Sequence, residues 1–189
     1  MLLLPLLARG WWAAPSCGHF VREPRSGRRN VSAMDQGPVV LEPSSPLETE
    51  AATLIAELNS FLDDLYHPDD NHFWLEPDEV DGVRGVFFIA RLDGRSVGCG
   101  AVRMLDGGRA EVKRMYVRPD ARGRGVGRAI LERLASEAAA RHARELVLEM
   151  GDNQPGARAL YDSFGFTPIP CFGEYLATPK SVCLGKLLT

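Results

Sequence analysis

Between Met115 and Leu134 the pattern of the sequence changes abruptly. An apolar run ending Met115-Tyr116-Val117 passes into Arg118-Pro119-Asp120-Ala121-Arg122-Gly123-Arg124-Gly125-Val126-Gly127, and then into a stretch whose apolar residues Val126, Ile130, Leu131, Leu134, Ala138 and Ala139 share one helical face. A strand that feeds a Gly-rich loop at the start of a helix narrows the fold sharply. Glycines let the backbone turn tightly and let successive N–H groups point the same way. The helix start adds the positive end of its dipole. Such a unit makes a cradle for an anion such as a pyrophosphate, with Arg122, Arg124 and Arg128 placing positive charge at its rim. The glycine spacing, Gly123, Gly125 and Gly127, is neither the dinucleotide fingerprint G-x-G-x-x-G nor a P-loop, since no Gly-Lys-Ser/Thr follows.

The rest of the pattern supplies a sheet around this unit. Val39-Val40-Leu41 reads as a short first strand and Glu42–Pro46 as a connection. A helix follows, with Leu47, Ala51, Leu54, Ile55, Leu58, Phe61, Leu62 and Leu65 on one face and Glu48 and Glu50 in its first turn. Residues 66–83 read as an acidic loop. Strands over 85–90, 96–105 and 110–117, joined at Asp93-Gly94 and Asp106-Gly107-Gly108, begin the sheet as an antiparallel meander. After the long helix come a strand over 145–150, a helix from Pro155 to Phe164 ended by Gly165, and a last strand over 182–188. The order β α β β β α β α β is a mixed α/β sheet over one core. Residues 39–189 are read as that domain and residues 1–38 as a disordered extension. Signal-peptide and transit-peptide readings of the first residues are weaker, since no positive charge precedes the Leu2–Ala8 stretch.

Composition removes several function classes. The chain has 189 residues, 45% of them hydrophobic and 25% charged, which suits a globular protein rather than a fibrous or disordered one. No apolar run approaches the roughly 18 residues of a membrane helix, so no membrane partner is expected. The net charge is −3, and residues 1–34 hold five Arg against one Glu, so the acidity lies in the rest of the chain. That disfavours nonspecific nucleic-acid binding. Cys17, Cys99, Cys171 and Cys183 fit neither a zinc spacing nor CxxC, and are read as reduced and structural. His67 and His72 lie among acids without a ligand spacing, so no metal is expected. The acids Asp69, Asp70, Glu76, Asp78, Glu79 and Asp81, with Phe73 and Trp74, read either as a solvated connection or as a loop that attracts a cationic amine.

The spacing Arg122-x-x-Gly125-x-Gly127 after Met115-Tyr116-Val117-Arg118-Pro119, followed by Ala159-Leu160-Tyr161-Asp162-Ser163-Phe164-Gly165-Phe166, resembles the GNAT superfamily of acetyl-CoA-dependent N-acetyltransferases. Pro168-Ile169-Pro170, Phe172-Gly173-Glu174-Tyr175 and Ser181-Val182-Cys183 look like a bacterial branch of it. The resemblance implies a mostly antiparallel central sheet with helices on both faces and a splayed acetyl-CoA cleft. It implies backbone contacts from Met115 and Val117 to the pantetheine arm, and a pyrophosphate on the amides of Arg122, Gly123, Arg124, Gly125, Val126, Gly127 and Arg128. Tyr161 would be the general acid for the departing thiolate. The position where the family often has Asn is Gln154, with Asn153 beside it. Two glutamates are candidates for the base, Glu111 by the placement seen in histone-acetylating members and Glu149 by that of the ribosomal-protein branch. No nucleophilic Cys is needed. The implied reaction is transfer of acetyl from acetyl-CoA to a primary amine, a small molecule ahead of a protein lysine or α-amino terminus, in a cytoplasmic enzyme expected as a homodimer. A non-catalytic acyl-CoA sensor is the alternative from another class.

Overall fold

The computed structural model describes residues 37–67 and 75–188. Seven strands form one sheet: β1 (Val40–Ser44), β2 (Gly85–Leu92), β3 (Arg95–Leu105), β4 (Arg109–Val117), β5 (Glu145–Gly151), β6 (Thr167–Pro168) and β7 (Ser181–Leu187), in the order β1-β2-β3-β4-β5-β7-β6. Tight turns make β2, β3 and β4 antiparallel neighbours, and β1, about forty residues earlier in the chain, pairs antiparallel with β2 at the sheet edge. The step from β4 to β5 is different. It passes through the helix α2 (Val126–Ala140), and a helical crossover returns the chain parallel to where it left. The β4–β5 pair is the sheet's parallel pair, and β7 then closes antiparallel on β5.

The alternation along the strands serves two helical layers. Phe88, Ala90, Val102, Ala110 and Val112 turn to the face covered by Ile130, Leu131 and Leu134 of α2. Phe87, Ile89, Cys99 and Ala101 turn to the other face, against Ala51, Leu54 and Leu58 of α1 (Thr49–Asp63). The third helix, α3 (Pro155–Phe164), starts on its proline, ends on Gly165 at φ 95° and brings Tyr161 and Leu160 to the α2 face.

Several elements differ from the sequence reading. Leu47 lies before α1 and is 76% exposed, because the chain enters the helix only at Thr49. Pro43 and Ser44 belong to β1. That strand is the sheet edge, where a missing N–H costs no ladder bond. The 3₁₀ turn at 77–80 falls within the 66–83 loop, and the two-residue β6 and the 3₁₀ turn at 173–177 fall where the sequence pattern assigns no element.

Candidate active site

The site grows out of an interruption in β4. Ala101 pairs with Lys113 and Cys99 with Tyr116, so Arg114 and Met115 together oppose Gly100. This is a β-bulge, and Arg114 carries the positive φ, 55°, that it requires. Gly100 is what lets the bulge sit under α2: a Cβ there would lie 2.6 Å from Ile130 Cγ2 and 2.9 Å from Met115 Sδ. The bulge bends β4 away from β5. Their parallel pairing stops at Val112↔Leu148, although β4 runs on to Val117 and β5 to Gly151. A wedge opens through the sheet between the two strand ends. Its cavity of about 220 Å³ is lined by Glu111, Lys113, Met115, Glu149, Tyr161 and Tyr175, among others.

On the face that α2 covers, the wedge is lined by Tyr161 of α3 and bordered by the end of β4. Arg118 N–H bonds to Val97 O at 2.8 Å, so strand alternation turns the Val117 backbone to the opposite edge, toward the wedge. The Val117 carbonyl there accepts Arg122 Nε at 3.0 Å. Just beyond it, Gly123 and Gly125 take φ of 74° and 80°, values that disfavour any side chain. Gly125 is the N-cap of α2, which has no side-chain cap and no acid in its first turn. The first amides of this 15-residue helix are therefore left for an external anion. Gly127 serves packing instead, since a Cβ there would meet Leu160 Cδ2 at 2.9 Å. The arginines are more occupied than their spacing suggests. Arg122 stacks on Phe61 at 5.1 Å, Arg124 approaches Asp93 at 3.4 Å, and Arg128 bonds to Ser163 O and Oγ at 3.2 and 3.1 Å. They shape the loop as well as charging it.

Tyr161 reaches the wedge from α3. Its ring is buried edge-on to Phe166 at 5.7 Å, and its hydroxyl has no hydrogen-bond partner among the described residues. Burial, reinforced by the charge of Glu149, pushes the phenol well above its ordinary value, so it keeps its proton. Glu149 lies on the opposite face, toward the 172–181 segment. Burial raises its carboxyl above the usual glutamate range, against the opposing pull of a 2.6 Å hydrogen bond from Ser181 Oγ and of Lys113. Glu111 also borders the wedge, but both of its oxygens are engaged. Arg103 Nε bonds to Oε2 at 2.7 Å and Tyr175 Oη donates to Oε1. Of the two glutamates that are candidates for the base, Glu149 has one oxygen, Oε2, without a hydrogen bond among the described residues.

This arrangement can be set beside known proteins. A family model described as an acetyltransferase (GNAT) domain matches residues 83–168. An IAA acetyltransferase of Azospirillum brasilense is 41% identical over 152 residues, covering 79% of this chain and 98% of its own. The chain belongs to the GNAT acetyltransferase family. Among solved structures, a Klebsiella pneumoniae protein assigned to the acyl-CoA N-acyltransferases is 30% identical with TM-score 0.68, over 80% of this chain and 98% of that one. A GNAT family acetyltransferase from Elizabethkingia anophelis with acetyl-CoA bound shares the fold at TM-score 0.56 and 17% identity, over 79% of this chain and 98% of that one. The protein is an acyltransferase, and the GNAT acetyltransferases use acetyl-CoA.

The residues present fit that cosubstrate. The open amides of α2 with Gly123 and Gly125 suit its pyrophosphate, and the wedge beside Val117 suits an extended arm. Gln154 and Tyr66 line the wedge, and Asn153 N–H and Gln154 Nε2 approach Tyr66 Oη at 3.0 and 3.4 Å. The sequence pattern places Tyr66 at the start of the 66–83 loop. Its ring packs on Gly151, where a Cβ would sit 2.3 Å from the hydroxyl.

The GNAT sheet also carries residues that the sequence reading passed over. Arg103 gathers Glu79, Glu111 and Glu174 around one half-buried guanidinium, and Glu174 is shared with Lys113 at 3.2 Å. Tyr175 had only marked a branch, and it closes one wall. The acids of the 66–83 loop go elsewhere where they are described. Glu79 pairs with Arg103, Asp78 with Arg84 at 2.8 Å, and none lines the wedge. Asp69, Asp70, His72, Phe73 and Trp74 lie outside the described residues, as do Cys17 and nearly all of the 1–38 extension. The cysteine reading needs correction. Cys171 and Cys183 form a disulfide, which their 12-residue spacing does not signal because β7 returns one beside the other. Cys99 is free and buried, with its thiol pushed up to about 12, so it is no nucleophile. Among the described residues no cluster of three metal-ligating side chains occurs.

Proposed function

We propose that the protein transfers the acetyl group of acetyl-CoA to a primary amine by direct attack, and that the acceptor is a small molecule. The observation that carries this reading is the wedge itself. It joins two faces of the sheet, with the α2 anion cradle and Tyr161 on one and Glu149 on the other. The donor supplies an activated acetyl thioester. An amine is protonated at neutral pH and attacks only through its free lone pair. Glu149, raised by burial, takes that proton. Tyr161 holds its own proton for the sulfur as the carbon–sulfur bond breaks, so the leaving group departs as the thiol. Met115 and Val117 orient the donor's arm, and residues 172–181 with Tyr175 exclude water from the acceptor side. The small cavity and the cover over it favour a compact amine over a protein lysine or an α-amino terminus.

The test is a panel of primary amines, including diamines, amino acids and arylalkylamines, run beside lysine-containing and free-N-terminal peptides, with acetylated product read by mass. Turnover on a compact amine at least about a hundredfold faster than on any peptide supports the reading. Preferential acetylation of peptides would overturn it.

A further inference from the structure

The disulfide has no part in acetyl transfer, yet it is built into the acceptor wall. Cys183 is the cross-strand partner of Glu149, so its side chain stands beside the proposed base on the same face. Two residues earlier, Ser181 Oγ donates to Glu149 Oε1 at 2.6 Å. From Cys183 the bridge runs to Cys171, at the start of the segment that carries Tyr175 and Glu174 to Glu111, Arg103 and Lys113. Between Phe172 and Lys180 this segment joins no strand. Its backbone bonds are local turns, apart from Asp152 N–H to Lys180 O at 3.1 Å. Its placement depends on the bridge and the strand pairing at its base, on the buried Tyr175 ring and on the polar contacts at its tip. Opening a covalent loop of this kind returns conformational freedom to the chain inside it.

We propose that Cys171–Cys183 is a redox modification site that fastens the acceptor wall, and that its reduction frees residues 172–181 while leaving the donor side unchanged. The functional consequence rests on the reading of Glu149 as base, whereas the structural one does not. Cys171 is half-buried and Cys183 is 3% exposed, so Cys171 is the sulfur an incoming thiolate reaches. A dithiol reductant attacks Cys171 Sγ, the sulfur–sulfur bond breaks, and Cys183 leaves as a thiolate that takes a proton. The second thiol of the reductant then displaces Cys171 and closes its own disulfide. Two electrons and two protons pass to the pair.

The full chain is compared after incubation with glutathione disulfide, after reduction with dithiothreitol, and as Cys171→Ser. Iodoacetamide labelling of the denatured protein is read by intact mass. Of the four cysteines, the oxidised protein should label two and the reduced protein all four, with peptides 171 and 183 linked only in the former. Amide hydrogen exchange over 172–181 should rise at least about tenfold on reduction and in Cys171→Ser, with α2 and β3 unchanged. Acetyl-CoA affinity, read by calorimetry, should stay within about twofold, since the cradle lies on the other face. Four labels on the oxidised protein would overturn the proposal, and so would a linked pair whose reduction leaves exchange over 172–181 unchanged. Neither readout uses an acceptor, so failure of the amine reading leaves this test standing.

Discussion

Glu111 and Glu149 lie on one face of the sheet, and their neighbours give them different work. Glu111 is fully buried with Arg103 on one oxygen and Tyr175 on the other. With both oxygens engaged by other side chains, it suits a structural post. Glu149 has one hydrogen-bonded oxygen and a carboxyl raised by burial. Its carboxylate form, the one able to accept a proton, is populated only at higher pH than for an ordinary glutamate. The acid limb of kcat/KM should therefore sit above the usual glutamate range, with activity rising as pH passes through it. Glu149→Gln should lower kcat/KM by about 10² to 10⁴ and abolish that limb. A limb that survives the substitution would remove Glu149 from the role. Tyr161→Phe, read on the same protein preparations, should lower kcat by about 10²-fold or more while acetyl-CoA affinity stays within about twofold. Among the described residues the phenol has no hydrogen-bond partner, so its loss strands none of their buried groups.

At the scale of elements, the contact between β4 and α2 decides whether the wedge exists. Gly100 faces the bulge on one side and Ile130 and Leu134 on the other, leaving no room for a methyl group. Gly100→Ala must push α2 outward or flatten the bulge. Equilibrium urea unfolding should show a loss of about 1–3 kcal/mol, and acetyl-CoA binding should weaken with it, because β4 and the start of α2 move together. A stable variant with unchanged affinity would mean that the bulge is not what opens the site. This contact also marks where the sequence stops being readable. The strand–loop–helix unit was legible because its signals are local: apolar alternation, paired glycines, then a 3.6-residue period. The bulge was not, since it depends on Gly100 meeting Arg114 and Met115 across two strands. The same limit hid Tyr175 on Glu111, 64 residues away, and the return of β7 that brings Cys183 to Cys171. Pro43 misled for the opposite reason. Its local signal for a break is sound, but an edge strand tolerates it.

Over the whole molecule, the proposed donor site draws on widely separated parts of the chain: Val117 on β4, Gly123 and Gly125 before α2, and Gln154 at the start of α3. A ligand held by all of them binds only the folded chain, so it must raise the stability of the whole. At a free acetyl-CoA concentration of about 100 times its Kd, linkage gives about 2.7 kcal/mol. For a chain of this size that is a rise in Tm of several degrees, about 2–4 °C for each kcal/mol. Coenzyme A without its acetyl group should give nearly the same rise, because the cradle and β4 hold the arm rather than the acetyl end. Added salt should shrink the shift, since part of the attraction is between the ligand's phosphates and exposed positive charge. ATP decides what the cradle is for. It offers phosphates to the α2 amides but has no arm to fill the wedge, and should raise Tm by far less than coenzyme A does at matched concentration. An equal rise with ATP would make the Gly-rich loop a general phosphate site and would leave the wedge without a part in donor binding.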